Sequence, residues 1–131
     1  MTQQEKQLLL KDLCARIPYR TLVQLNPGAY NKPETCILTG VDGEQVYLNV
    51  DSDPFRIDHI KPYLRSMSSM TEEESGEYNS FSLGEDWVSN PYMSVPAFHV
   101  LDWLNSRHFD YRGLIEKGLA LEAPGGMYKT E

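Results

Sequence analysis

The stretch Thr35-Cys36-Ile37-Leu38-Thr39-Gly40-Val41-Asp42-Gly43-Glu44-Gln45-Val46-Tyr47-Leu48-Asn49-Val50 decides the fold. Asp-Gly between two runs of strand formers is a preferred pair for a two-residue type I′ hairpin, because both loop positions need positive φ. With Asp42-Gly43 as that loop, strands are expected over 35–41 and 44–50. Val41 then faces Glu44, Thr39 faces Val46, and Ile37 faces Leu48. Side chains alternate across a strand, so one face collects Ile37, Val41, Val46, Leu48 and Val50. The other carries Cys36, Leu38, Tyr47 and Asn49. The first face holds more apolar bulk and is the expected core face.

Upstream, Arg20 to Asn26 is rich in strand formers, and Pro27-Gly28 turns the chain. Before that, Thr2-Gln3-Gln4-Glu5 has the spacing of a capping box, which predicts a helix start. Leu10, Leu13, Cys14 and Ile17 follow at helical spacing with Leu9 beside them, and Pro18 ends the run. Cys14 therefore reads as a buried apolar residue, like Cys36.

Downstream, Phe55-Arg56-Ile57 reads as a short fourth strand. Ile57, Ile60 and Leu64, with Pro62 between, predict a short or 3₁₀ helical element as far as Arg65. Thr71-Glu72-Glu73-Glu74 is a second capping box and starts a helix over 72–80. Residues 81–95 read as a surface loop with one strand near Trp87-Val88. Pro96 suits the first position of a helix ending near Arg107, with Val100, Trp103 and Leu104 on its buried stripe. Asp110 caps a short helix holding Leu114 and Ile115, and Gly118 stands where a helix C′ glycine belongs. Leu119-Ala120-Leu121 is a closing strand, and residues 122–131 form a loose tail.

Strands gathered between helices argue an α+β fold. The expectation is one domain over 1–131. It has an N-terminal helix, three or four antiparallel strands curled towards a small SH3-like barrel, and short C-terminal helices.

The formal charge is −7, and residues 66–100 hold six acids without one base. A nucleic-acid binder needs a basic footprint, so direct nucleic-acid binding ranks last among the functional readings. The two cysteines and three histidines stand at no metal-ligand spacing, and no metal or cofactor is expected. The polar N-terminus and the absence of a long apolar run point to a cytoplasmic protein away from membranes.

Catalytic motifs are missing: there is no Gly-x-Ser-x-Gly elbow and no phosphate-binding glycine loop. Two acid–base pairs are conceivable, His108 with Asp110 and His99 with Asp102, and they define a small-enzyme alternative. The denser signal is a set of contact-prone side chains: Tyr63, Arg65, His108, Tyr111 and Arg112, near Trp103 and Phe109. With the acidic run Glu72, Glu73 and Glu74, these residues form the expected binding surface of a non-enzymatic module whose partner is a protein.

Three segments carry a resemblance: Leu8 to Arg16; Lys61 to Glu74, reading Lys-Pro-Tyr-Leu-Arg-Ser-Met-Ser-Ser-Met-Thr-Glu-Glu-Glu; and Asp102-Trp103-Leu104-Asn105 with Asp110 to Ala120. Together they are similar to a family of small uncharacterised proteins of Bacteroides-type gut bacteria, associated with phage-like or mobile elements. The resemblance covers roughly half the chain. It implies a cytoplasmic bacterial accessory protein and assigns no activity or site residue.

Overall fold

The computed structural model describes residues 1–26, 33–50, 53–81 and 97–128. Helix α1 spans Gln3–Arg16 and is followed by a 3₁₀ turn over Ile17–Tyr19. Strands β1 (Leu22–Leu25), β2 (Glu34–Asp42), β3 (Gln45–Leu48) and β4 (Phe55–Arg56) come next. After a 3₁₀ turn over Ile57–His59 the chain enters β5 (Ile60–Leu64). Helices α2 (Glu72–Phe81) and α3 (Ala97–Ser106) precede a last strand, β6 (Leu121–Glu122). The expected strand at Trp87-Val88 and the helix-opening Pro96 lie outside the described residues.

The architecture is α+β. Six strands form one sheet in the order β4-β3-β2-β1-β5-β6. The ladders are antiparallel except β5–β6, which is parallel, so the sheet is mixed rather than antiparallel. Its two end strands, β4 and β6, do not pair with each other, so it is an open sheet and not a closed barrel. Among the described residues no helix is long and apolar enough to cross a membrane.

The hairpin register differs by one residue from expectation. Asp42 pairs with Gln45 and Val41 with Val46, leaving Gly43-Glu44 as the loop. Only Gly43 of that pair has positive φ, at 63°. Moving the turn by one residue inverts the faces of a strand. Cys36 and Leu38 are accordingly buried, Ile37 is half-exposed and Val50 is exposed. A bulge between Leu38 and Gly40 then resets the alternation, so Leu38 and Val41 both reach the core side.

The reading of β5 also changes. Ile60, Pro62 and Leu64 are buried in alternation, a strand pattern, with Val23 opposite Pro62 and Leu25 opposite Ile60. Ile57, Ile60 and Leu64 fit a helical period nearly as well, and a proline gives a strand no ladder donor. Pairing with β1 decides between them.

Helix α1 covers the sheet. Its capping box is formed: the Glu5 amide donates to Thr2 Oγ1 at 3.1 Å and the Thr2 amide to Glu5 Oε1 at 2.9 Å. Leu9, Leu10 and Leu13 pack on Val23, Leu38, Val46, Ile60 and Leu64. Each fully buried aliphatic side chain of this kind contributes about 1.5–3 kcal/mol. The buried face also includes Asp12 and Arg16, while Cys14 is exposed rather than buried. The stripe runs through Leu9, Leu13 and Arg16, and Cys14 falls beside it.

The C-terminal region closes the core from one edge. Arg65 donates its amide to the His108 carbonyl at 2.7 Å, and the Asp110 amide donates to the Arg65 carbonyl at 2.8 Å. Segment 108–110 thus extends the sheet along β5. Asp110 accepts the amides of Leu114 and Ile115 at 2.9 and 3.0 Å, and the expected short helix is a set of turns over residues 114–118. Gly118 (φ 75°) and Leu119 return their amides to the carbonyls of Ile115 and Leu114, the Schellman arrangement that needs a left-handed residue. This brings Leu114, Leu119 and Ala120 into the core. The chain from Pro124 is no loose tail as far as Tyr128, whose hydroxyl accepts the Leu22 amide at 2.8 Å and donates to the Tyr63 carbonyl at 2.8 Å.

Candidate functional site: an arginine-lined cleft

Two ion-pair clusters flank Phe109. The first is built on α1. Asp12 and Arg16 stand one helical turn apart, both 0 % exposed, and pair at 2.7 Å. Arg16 also donates to the Phe109 carbonyl at 2.7 Å, and Arg112 Nε lies 3.2 Å from Asp12. The guanidinium groups of Arg16 and Arg112 both lie on the Tyr111 ring, at 5.3 and 5.2 Å from its centre. One carboxylate so holds two guanidiniums, and Phe109 and Tyr111 are fixed between them.

The second cluster joins β5 to α2. Arg65 grips Glu74 with both ends of its fork, at 2.6 and 2.8 Å. The same carboxylate accepts the Thr71 amide at 3.0 Å while Thr71 Oγ1 accepts the Glu74 amide at 3.1 Å, which completes the second capping box. The Arg65 hydrogen bonds, opposed by burial and helped by Thr71, draw the Glu74 carboxyl down to about 2. Arg65 also lies 4.3 Å over the Phe109 ring. Arg107 sits more loosely, 3.6 Å from Glu77 and 4.0 Å from Glu74, and Trp103 Nε1 donates to Glu77 at 2.9 Å.

A cleft of about 390 Å³ opens beside this second cluster. Arg20, Arg65, Arg107 and His108 line it together with Tyr19, Ser106, Met127 and Tyr128. No carboxylate stands among these described lining residues. Arg20 is exposed, is held in the left-handed region at φ 54°, and meets no acid among the described residues. The Arg107 guanidinium makes no hydrogen bond among them either. By contrast, a depression of about 440 Å³ near the N-terminus sets Lys6 and Lys117 against Glu5 and Asp58, so its charges cancel.

His108 is the buried group of the cleft. It adopts φ 64°, stacks on Tyr128 with ring centres 3.7 Å apart, and places Nδ1 3.5 Å from Thr21 Oγ1. Burial first, then the positive charges of Arg16 and Arg65, push its imidazole down to about 4, so it is neutral at pH 7. Burial likewise raises the Tyr128 phenol above its ordinary range.

Among the residues expected to bind, Arg65 and His108 line the cleft. Tyr111 and Arg112 belong to the α1 cluster, with Tyr111 Oη donating to Asn105 at 2.9 Å. Tyr63 accepts from Gln24 on the sheet at 3.3 Å. Glu72 and Glu73 are exposed on the first turn of α2, whereas Glu74 is buried and committed to Arg65, so the three do not form one surface. The acid–base pairs do not assemble: Asp110 gives both oxygens to backbone amides, and no hydrogen bond joins His99, set edge-on to Phe81, to Asp102. Among the described residues no cluster of three His, Cys, Asp or Glu could hold a metal ion.

Arg20, Arg107, Tyr19 and Tyr128 were not singled out from the sequence. Arg16 four residues after Asp12 on an apolar stripe was a readable sign of a buried pair. Arg20 and Tyr128 carried no such sign, because only the fold brings them together.

No protein-family model matches the chain, and no curated protein or solved structure matches it.

Proposed function

We propose that this domain is a non-enzymatic protein-interaction module that receives an acidic segment of a partner protein in the arginine-lined cleft. The observation that carries this reading is the cleft wall of Arg20, Arg65 and Arg107, which Glu74 and Glu77 behind it neutralise only in part, in a chain of net charge −7. A local positive field inside an acidic protein selects a partner by charge at short range, while the rest of the surface repels other polyanions. Tyr19, Met127 and Tyr128 supply the apolar walls that desolvate such a contact. The resemblance to small proteins of mobile elements fits an accessory of that kind and names no partner.

The acid–base alternative has less support. Among the described residues no carboxylate partners His108, and its neutral imidazole is stacked face-on against Tyr128. The test is a calorimetric and NMR titration with a glutamate-rich peptide at low salt. Saturable binding that Arg20→Gln and Arg107→Gln each weaken supports the module. Absence of binding at low salt counts against it.

A further inference from the structure

We infer that the group this cleft takes is a phosphoryl group on a side chain of the partner protein. The inference rests on the reading of the cleft as a protein-contact site.

Three features distinguish a phosphoryl group from a carboxylate. First, the unsatisfied donors belong to two separate guanidiniums. Arg20 reaches the cleft from the turn after α1, and Arg107 from the turn after α3. A carboxylate brings one charge on two oxygens, which two guanidiniums must share, as Arg16 and Arg112 share Asp12. A phosphoryl group has three acceptor oxygens and about −1.5 to −2 charges near pH 7, and so can engage two forks at once.

Second, the two guanidiniums are held differently: Arg20 meets no acid among the described residues, whereas Arg107 is ion-paired to Glu77 at 3.6 Å. Arg107 lies 5.6 Å over the Trp103 ring and near Glu77, which orients it without using its hydrogen bonds. Arg65, fixed by Glu74 and Phe109 and with its charge countered by Glu74, forms the rigid wall behind them. This is an arginine cluster of the type that reads phosphorylated motifs, with Arg65 and Arg107 held in place and Arg20 exposed at its mouth.

Third, a volume of about 390 Å³ exceeds what a carboxylate tip requires and leaves room for the stem of a modified side chain against Tyr19 and Met127. A nucleic acid offers the same phosphate chemistry. Its chain of phosphates would run from the cleft across a molecule of net charge −7, which disfavours it.

The experiment titrates the full chain with a short peptide carrying one phosphoserine, the same peptide with glutamate in that place, inorganic phosphate, and a single-stranded oligonucleotide. Affinity is read by calorimetry, and the backbone and arginine Nε resonances by NMR. The phosphoserine peptide is expected to bind about tenfold or more tightly than the glutamate peptide, with Arg20→Gln and Arg107→Gln each costing about tenfold in Kd. Lys117→Gln, in the charge-balanced depression, should leave Kd unchanged.

Equal affinity for the glutamate peptide would overturn the phosphoryl inference and leave the interaction module standing. Inorganic phosphate or the oligonucleotide binding as tightly as the phosphopeptide would also overturn it. Failure of both peptides to bind would remove both readings. Arg20 is exposed, so its variant folds and keeps the test decisive if Arg107→Gln does not.

Discussion

Arg65 Nη2 lies 2.6 Å from Glu74 Oε1, and through this pair the first residue after β5 holds the first turn of α2. The pair has a second consequence at Phe109, whose ring lies under the same guanidinium. The contact is therefore a joint between sheet, helix and the segment that carries His108.

Glu74→Gln or Arg65→Met leaves the other member buried and uncompensated. Breaking a buried pair by removing one partner costs about 3–5 kcal/mol, and that loss should appear as a lowered urea midpoint with unchanged m-value. The pH dependence has a defined sign. The Glu74 carboxyl falls from 4.5 to about 2 on folding, so its contribution is complete above pH 4.5 and is lost as pH drops towards 2. Glu74→Gln should flatten the stability curve in that window.

His108 titrates in a different window. Its imidazole falls from 6.5 to about 4, so folding disfavours its proton. The stabilisation is complete above pH 6.5 and is lost as pH falls from there to about 4. His108→Asn keeps a residue that tolerates the left-handed backbone at φ 64° and removes the ionisation. Urea titrations across pH 4–7 should show the slope in the parent and its loss in the variant. An identical slope in both would assign the effect elsewhere.

Asp12 and Arg16 test whether a buried charge network is needed for stability or only for geometry. Asp12→Ala strands Arg16, which is fully buried and whose Nη1 already has no hydrogen-bond partner among the described residues. The expected loss is about 3–5 kcal/mol. The double change Asp12→Leu with Arg16→Met removes both charges and should cost clearly less than the single change. Thermal unfolding of the two variants gives the comparison.

Tyr128 ties the C-terminal segment to β1 and β5. Tyr128→Phe leaves the Leu22 amide without the hydroxyl it donates to, at a cost of about 1–3 kcal/mol, and keeps the ring that stacks on His108. Truncation before Pro124 removes the ring too. The His108 titration measured by NMR should then move up towards 6.5 in the truncated chain and stay low in Tyr128→Phe.

What could be read from the sequence was local. Both capping boxes formed as their spacing required, because Thr2 with Glu5 and Thr71 with Glu74 satisfy nearby amides whatever the tertiary fold. The Asp110 cap and the Gly118 turn are of the same kind. Readings failed where two local patterns had equal claims. Asp42-Gly43 and Gly43-Glu44 both suit a two-residue loop, and the core chose the register that buries Cys36 and Leu38. On α1, the chain chose Arg16 over Cys14 for its buried face because Asp12 neutralises the guanidinium.

The cleft was legible only in halves. Arg65 and His108 stood out by residue type, yet their meeting depends on the parallel bridge from Arg65 to Phe109, which no local pattern encodes. Arg20 enters through the turn that Pro18 imposes after α1, and Tyr128 through hydrogen bonds to strands distant in sequence.

The most direct test follows the arginine Nε and backbone amide resonances of the labelled protein as a phosphoserine peptide is added at low salt. The account predicts saturating shifts at Arg20, Arg107 and His108, with Lys6 and Lys117 unmoved. Shifts of similar size spread over the surface lysines, with none that saturate at the cleft, would contradict it.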